Sequence, residues 1–300
     1  MELHLAPMKG ITCWAFRASV IGATDSYTEY INLKSLLKIK AKGWDNVDTY
    51  NIIGQRQWLQ ILTHDIRDIS IFPKILNEFC STNPERAHIY GVNINAGCPD
   101  PAVITAGDGA ALIKRIRRLK ELIQAFMGKP NSHAFQIGVK LRLGLNEKEM
   151  NYNKVLEFLE ELKSLEDPRI SPPVVHFKHA KQTSKEPPHW ELLESLINAD
   201  VPFIINGSIK EPKDIEQIQK ILSSSSQQSW DKIISGVMIG REVIKNPECF
   251  KQFEKNLRIN DGKNWNDYFI ENLKRHPPKN QFIVNFRKFY QFLNIMAFDK

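Results

Sequence analysis

The chain has 300 residues, 42% of them hydrophobic, which is enough for one large domain with a real core, or for one such domain with a small appendage. Its 41 Lys and Arg against 34 Asp and Glu give a net charge of +7, which favours a polyanionic partner such as nucleic acid, though modestly, since many soluble enzymes are as basic. No apolar run approaches the roughly 20 residues that span a bilayer, and the start M-E-L-H-L-A-P-M lacks a signal pattern. Cys13, Cys80, Cys98 and Cys249 lie far apart without a C-x-x-C pair. That argues against a zinc site or disulfide framework and for reduced thiols in a soluble, cytoplasmic protein.

Short apolar runs bounded by turn residues predict strands near 2–6, 24–31, 57–62, 88–95, 136–142, 173–178, 202–206 and 234–239. Helical patterns fill most gaps, among them 110–123, 152–162, 189–197 and 211–222. Strands alternating with helices imply parallel βαβ units, and eight of them imply an α/β protein of (β/α)8 TIM-barrel type. An open doubly wound sheet is the alternative, but no G-x-G-x-x-G follows the first strand. Past residue 246 the strand signal ends. A catalytic barrel is therefore expected over 1–249, with a short, aromatic-rich helical appendage over 250–300. The patch S-S-S-S-Q-Q-S (223–229) reads as a surface loop. Of the basic runs, 37–42 and 114–120, the second reads equally well as the solvated face of a helix.

In such barrels the chemistry sits at the C-terminal strand ends, and the residues there are polar. Strand one ends in P-M-K-G (7–10), strand two reaches Thr28 and Glu29, and strand three carries Gln60. Strand four delivers N-A-G-C-P-D-P (95–101), with Asn95 and a lone thiol, Cys98, set among turn residues that a core cysteine does not need. Strand five places Lys140 and Arg142 on the face opposite Leu141, and strand six puts His176 and Lys178 in phase. Strands seven and eight end in Asn206-Gly207 and Gly240-Arg241, where barrels of this kind bind phosphate. Taken singly, each has an ordinary structural explanation: a turn glycine, a surface lysine, a satisfied core histidine. Together they describe a phosphorylated cofactor over the barrel mouth.

The motifs L-A-P-M-K-G-I-T-C-W-A-F-R (5–17), N-A-G-C-P-D-P with G-D-G-A-A-L (107–112), V-K-L-R-L-G (139–144), V-V-H-F-K-H-A-K-Q (174–182), N-G-S-I and V-M-I-G-R resemble those of the dihydrouridine synthases, flavoenzymes that reduce uridine in tRNA. The likeness runs from residue 4 to about 250. It implies FMN as cofactor, with Pro7 and Met8 near its ring, Gln60, Lys140 and His176 at its polar edge and ribityl chain, and Asn206, Gly207, Gly240 and Arg241 at its phosphate. It implies NADPH as electron donor, and Cys98 as the acid that protonates C5 of uracil while a hydride reaches C6. It also implies Asn95, Arg142 and Lys178 as substrate contacts and tRNA as partner; no metal and no membrane are expected, and the protein is expected to be a monomer. Two other readings compete: an FMN barrel acting on a small molecule, of the dihydroorotate dehydrogenase type, and an RNA-binding barrel that has lost turnover. Lys178, Asp100, Lys9 and Cys13 depart from the family pattern. Asp100 beside Cys98 suggests a carboxylate that keeps the thiol protonated, or else one that merely faces solvent.

Overall fold

The computed structural model describes residues 1–253, except 39–43, 45–46, 86, 130–131, 152 and 184, together with 270–272 and 274–275. The chain opens with strand β1 (Glu2–Leu5), helix α1 (Trp14–Ser19), β2 (Asp25–Tyr27), the two-residue β3 (Ile31–Asn32) and α2 (Leu33–Lys38). Next come β4 (Arg56–Leu62), α3 (Ile66–Thr82), β5 (Gly91–Ala96), α4 (Pro101–Thr105), a 3-10 turn at 109–114 and α5 (Ile116–Met127). The second half runs β6 (Gln136–Arg142), α6 (Glu147–Asn151), α7 (Lys154–Lys163), β7 (Val174–His176), α8 (Leu193–Ile197), β8 (Phe203–Asn206), α9 (Pro212–Gln219), α10 (Ser224–Ile233), β9 (Ile234–Ile239) and α11 (Glu242–Lys245).

Every strand pairing is parallel. β1 pairs with β2, β2 with β4, and β4 through β9 pair in succession until β9 returns to β1. This closes an eight-stranded barrel with helices outside, as the sequence predicts. β3 only extends the edge of β4, at Ile31–Ile61 and Asn32–Leu62. Parallel strands covered on both faces need apolar residues outward as well as inward. Val92, Ile94 and Ala96 of β5 and Ile137, Val139 and Leu141 of β6 accordingly join the large core under the helices. α5 meets that core with Ile116, Leu119, Leu122, Ile123, Phe126 and Met127, all on one helical face.

Inside the barrel Ala6, Tyr27, Trp58, Val174, Ile204 and Met238 pack together. Trp58 fits because its neighbours are glycines: a Cβ on Gly91 would lie 2.6 Å from its ring. At the N-terminal end, Arg56 binds Asp25 through Nε and Nη2 at 2.9 and 2.7 Å and also pairs with Glu2, so this end is filled by matched charge. No described helix is long and apolar enough to cross a membrane.

Three local expectations change. The serine patch is not a loop but the start of α10. Ser223 caps the helix by accepting from the Ser226 amide, and Ser226, Trp230 and Ile233 are buried, so a polar sequence still carries an inward stripe. The helical pattern 110–123 divides at Arg115 into the 3-10 turn and α5. The strand expected over 173–178 stops at His176, because the chain turns at Phe177 and the Lys178 amide donates to the His176 carbonyl. The appendage expected over 250–300 lies almost wholly outside the described residues; of those described, Asn272 donates to Ser19 Oγ on α1 at 3.1 Å.

Candidate active site

Strand register assembles the barrel mouth. Gln60 pairs with Asn93, Asn95 with Lys140, Arg142 with His176, and His176 with Asn206. Side chains of paired parallel residues share a face, so these groups line the interior in successive layers toward the C-terminal end.

The thiol loop follows β5 and is fixed on all sides. Asn95 Oδ1 accepts from the amides of Gly97 (3.0 Å) and Cys98 (2.9 Å), while its Nδ2 donates to Gln60 Oε1. Gln60 Nε2 in turn donates to Asn93 Oδ1 at 2.8 Å. Arg142 Nε donates to the Gly97 carbonyl at 2.9 Å, and the Ala110 amide donates to the Cys98 carbonyl. Gly109, at φ +58°, lets the next turn press close: a Cβ there would stand 2.9 Å from Cys98 O. Asp100 caps α4, accepting from the Ala102 amide at 2.9 Å, so its carboxylate is bound to backbone. Cys98 itself is half-buried, and all four cysteines are free thiols. The structure thus uses Asn95 and the fully buried Gln60 to hold the loop.

Beside the loop, cations collect, and Lys140 and Arg142 have no acid partner among the described residues. Burial first, then Arg142, pulls Lys140 down to about 7. Burial likewise lowers Arg142 to about 10, with Arg241 adding to the effect and Cys98 opposing it. His176 is held well below its ordinary value by burial and by Lys140, Arg142, Lys178 and Arg241 together. Four positive groups converging on one neutral imidazole leave a site that favours an anion. Lys178 is 2% exposed and directs Nζ to the carbonyls of Thr183 (3.3 Å) and Glu186, so it secures the loop after β7.

The phosphate end is built from β8 and β9. Asn206 Nδ2 donates to the Met238 carbonyl at 2.8 Å, and Gly207 follows at φ +143°. Arg241 projects into solvent at the start of α11. A Cβ on Gly240 would meet only Ala6 Cβ, at 3.5 Å, so the protein itself leaves room there. Pro7 and Met8 lie at the end of β1, in a turn tied by Thr12 Oγ1 to Met8 and by Glu29 Oε2 to the Gly10 amide at 2.6 Å. An open glycine and a cluster of cations, of which Lys140 and Arg142 have no acid partner among the described residues, fit a phosphorylated cofactor.

Three residues that the sequence reading assigned no role are given one by the structure. Burial raises Glu29 to about 7, and its Oε1 is buried without a hydrogen bond. Lys9 sits over the Tyr30 ring, 5.3 Å from its centroid; Tyr30 raises its pKa, with smaller contributions from Asp100 and Cys98. The Arg17 guanidinium, fully buried, binds Thr12 O, Asp48 and Gln57 Oε1, anchoring the segment after β1. Glu29 is visible in the sequence at a strand end, Lys9 as a departure from the family pattern and Arg17 as a cation in an apolar stretch; their burial and contacts are not.

Fold and site together define a (β/α)8 barrel whose C-terminal mouth carries a clamped thiol and a cluster of cations. The old yellow enzyme from Trypanosoma cruzi shares the fold, with a TM-score of 0.50 at 10% identity over 82% of this chain and 86% of that one. The family described as dihydrouridine synthase (Dus) matches residues 4–297, and the chain belongs to it. Among relatives, the "Probable tRNA-dihydrouridine synthase" of Staphylococcus epidermidis is 30% identical over 162 residues, 54% of this chain and 45% of the relative. The "Probable tRNA-dihydrouridine synthase 2" of Bacillus subtilis is 32% identical over 171 residues, 55% of this chain and 46% of that protein. These alignments thus span about half of each relative.

Proposed function

We propose that the chain is an FMN- and NADPH-dependent reductase that converts uridine in tRNA to 5,6-dihydrouridine. The observation that carries this reading is a positioned thiol at one barrel mouth beside Lys140 and Arg142, cations with no acid partner among the described residues. Lys140, His176 and Gln60 would hold the polar edge of FMN, with Pro7 and Met8 against its ring. Asn206, Gly207, Gly240 and Arg241 would hold its phosphate. When bound and reduced by NADPH, the flavin supplies the hydride that C6 of uracil receives. Saturating the C5=C6 bond also requires a proton, and the Cys98 S–H donates it to C5, the thiolate regaining a proton from solvent. Arg142 and Asn95 keep the thiol at a fixed height above the mouth. Lys178, fixed by its loop contacts, contributes charge and shape to the substrate side. The reacting uridine has to leave its stack, at a cost of a few kcal/mol, which a loop of folded RNA incurs more cheaply than a duplex.

The small-molecule reading is weaker, because such an enzyme has no use for a net charge of +7. The test is direct: purified protein is yellow, and RNA from cells lacking the gene loses dihydrouridine at a mapped position by mass spectrometry. Cys98→Ala is expected to keep flavin absorbance and NADPH oxidation but to stop dihydrouridine formation. A colourless protein that takes up no added FMN ends this reading, and parental product formation by Cys98→Ala ends the role of the thiol.

A further inference from the structure

Outside the thiol loop lies a second polar cluster that the mechanism leaves unused. His64 follows the C-terminal end of β4, and its Nδ1 is 2.9 Å from Asp108 Oδ1. Asp108 is 4% exposed, whereas the His64 side chain is 45% exposed. A buried carboxylate therefore fixes the ring by Nδ1 and leaves Nε2 as the outward nitrogen. Next to Asp108, Gly107 stands at φ +87°, and the position of a Cβ on it is 3.7 Å from His64 Nδ1 and 3.7 Å from Arg115 Nη1. Imidazole and guanidinium flank the same point of backbone. Arg115 is exposed, and no carboxylate pairs with it among the described residues. Nearby Lys114 and Arg118, by contrast, are paired with Glu149 at 2.8 Å and Glu121 at 3.1 Å. The cluster also adjoins the thiol: Gly109, the residue after Asp108, would bring a Cβ to 3.0 Å from Cys98 Cβ.

We propose that His64 and Arg115 form a phosphodiester site for the RNA strand flanking the nucleotide presented to Cys98. The inference rests on the RNA reading above and adds where the backbone is gripped. A planar guanidinium without an acid partner matches two phosphate oxygens, and an imidazole oriented from behind supplies a second contact at low entropic cost. A grip beside the thiol holds the strand while one base is withdrawn from its stack. Such contacts position without reading sequence, so their loss weakens every RNA substrate alike.

The test uses the full-length flavoprotein and unmodified tRNA transcript. In Arg115→Gln, the slope of log affinity against log salt is expected to fall in magnitude by about 0.7 to 1. KM for tRNA rises about tenfold, the effect of losing one charge-assisted hydrogen bond. Flavin absorbance, NADPH oxidation and kcat at saturating tRNA stay at parental values. Arg115→Lys restores most of the slope, and Lys114→Gln, which removes an already paired cation, changes it less. His64→Gln raises KM in the same way. A parental slope and KM in Arg115→Gln, or an effect in only one of the Arg115 and His64 variants, overturns the shared site. If the parent makes no dihydrouridine yet binds RNA with an Arg115-dependent slope, the functional reading fails and the phosphate site stands. If the parent binds no RNA, both fail.

Discussion

Replacing Lys140 by methionine is expected to stabilise the flavin-free protein while abolishing its grip on the cofactor. Lys140 lies at the mouth with no acid partner among the described residues, and burial with Arg142 brings it from 10.5 to about 7. A base whose folded pKa is depressed binds fewer protons when folded, so stability rises with pH between about 7 and 10.5, and below 7 the penalty is complete. At about 1.4 kcal/mol per unit, the charged lysine costs about 4.5 kcal/mol at pH 6.5 and about 2 kcal/mol at pH 9. Both are ceilings, because solvent reaching Nζ screens the charge. Methionine keeps the aliphatic stem and carries no charge, so the variant is spared this cost. Urea unfolding of flavin-free protein at the two pH values measures it: Lys140→Met is the more stable at pH 6.5, and its advantage roughly halves at pH 9. Added FMN then raises the unfolding midpoint of the parent and not of the variant. A variant no more stable than the parent at pH 6.5, or with a pH-independent advantage, refutes the picture of a buried cation held without a counter-ion.

Glu29→Gln tests the perturbed acid at the mouth. An acid raised to about 7 binds more protons when folded, so the parent loses stability as pH rises from about 4.5 to 7. The glutamine variant lacks that slope and gains up to about 3 kcal/mol above pH 8; parallel thermal profiles for the two proteins would show the carboxylate to be unperturbed. Asp100→Ala is expected to lose about 1 kcal/mol through the missing cap of α4, whereas Asp100→Asn loses little and makes dihydrouridine at the parental rate. A changed thiol titration in Asp100→Asn would instead give the charge a role beyond capping. Gly109→Ala combines a positive φ with a Cβ 2.8 Å from Val103 Cγ1 and 2.9 Å from Cys98 O. It is expected to cost about 1–3 kcal/mol and to slow product formation while flavin absorbance is retained; parental turnover would mean that the height of the thiol loop is unimportant.

Most barrel strands were legible because a strand buried on both faces reads as a continuous apolar run, and these runs break where polar residues meet the mouth; β2, D-S-Y, is buried yet polar in sequence. Lys140 and Arg142 could be assigned to one face from their spacing alone, since strand periodicity carries no long-range information and needs none. Lys178 could not, because the turn at Phe177 takes it out of phase with His176. The hydrogen bonds from Asn93 through Gln60 to Asn95 join β4 and β5, and the His64–Asp108 pair spans 44 residues. Both depend on the register between strands and on loop paths, which no local pattern encodes. Glu29 was visible at a strand end, but its burial and its bond to the Gly10 amide come from the fold of another segment.

Arg142 ties the two halves of the mouth together. One guanidinium nitrogen holds the Gly97 carbonyl of the thiol loop and another the His179 carbonyl after β7. The same charge depresses both Lys140 and His176. An anion entering the mouth would offset the repulsion that Arg142 adds to burial at Lys140 and His176, next to the residue that holds the Gly97 carbonyl.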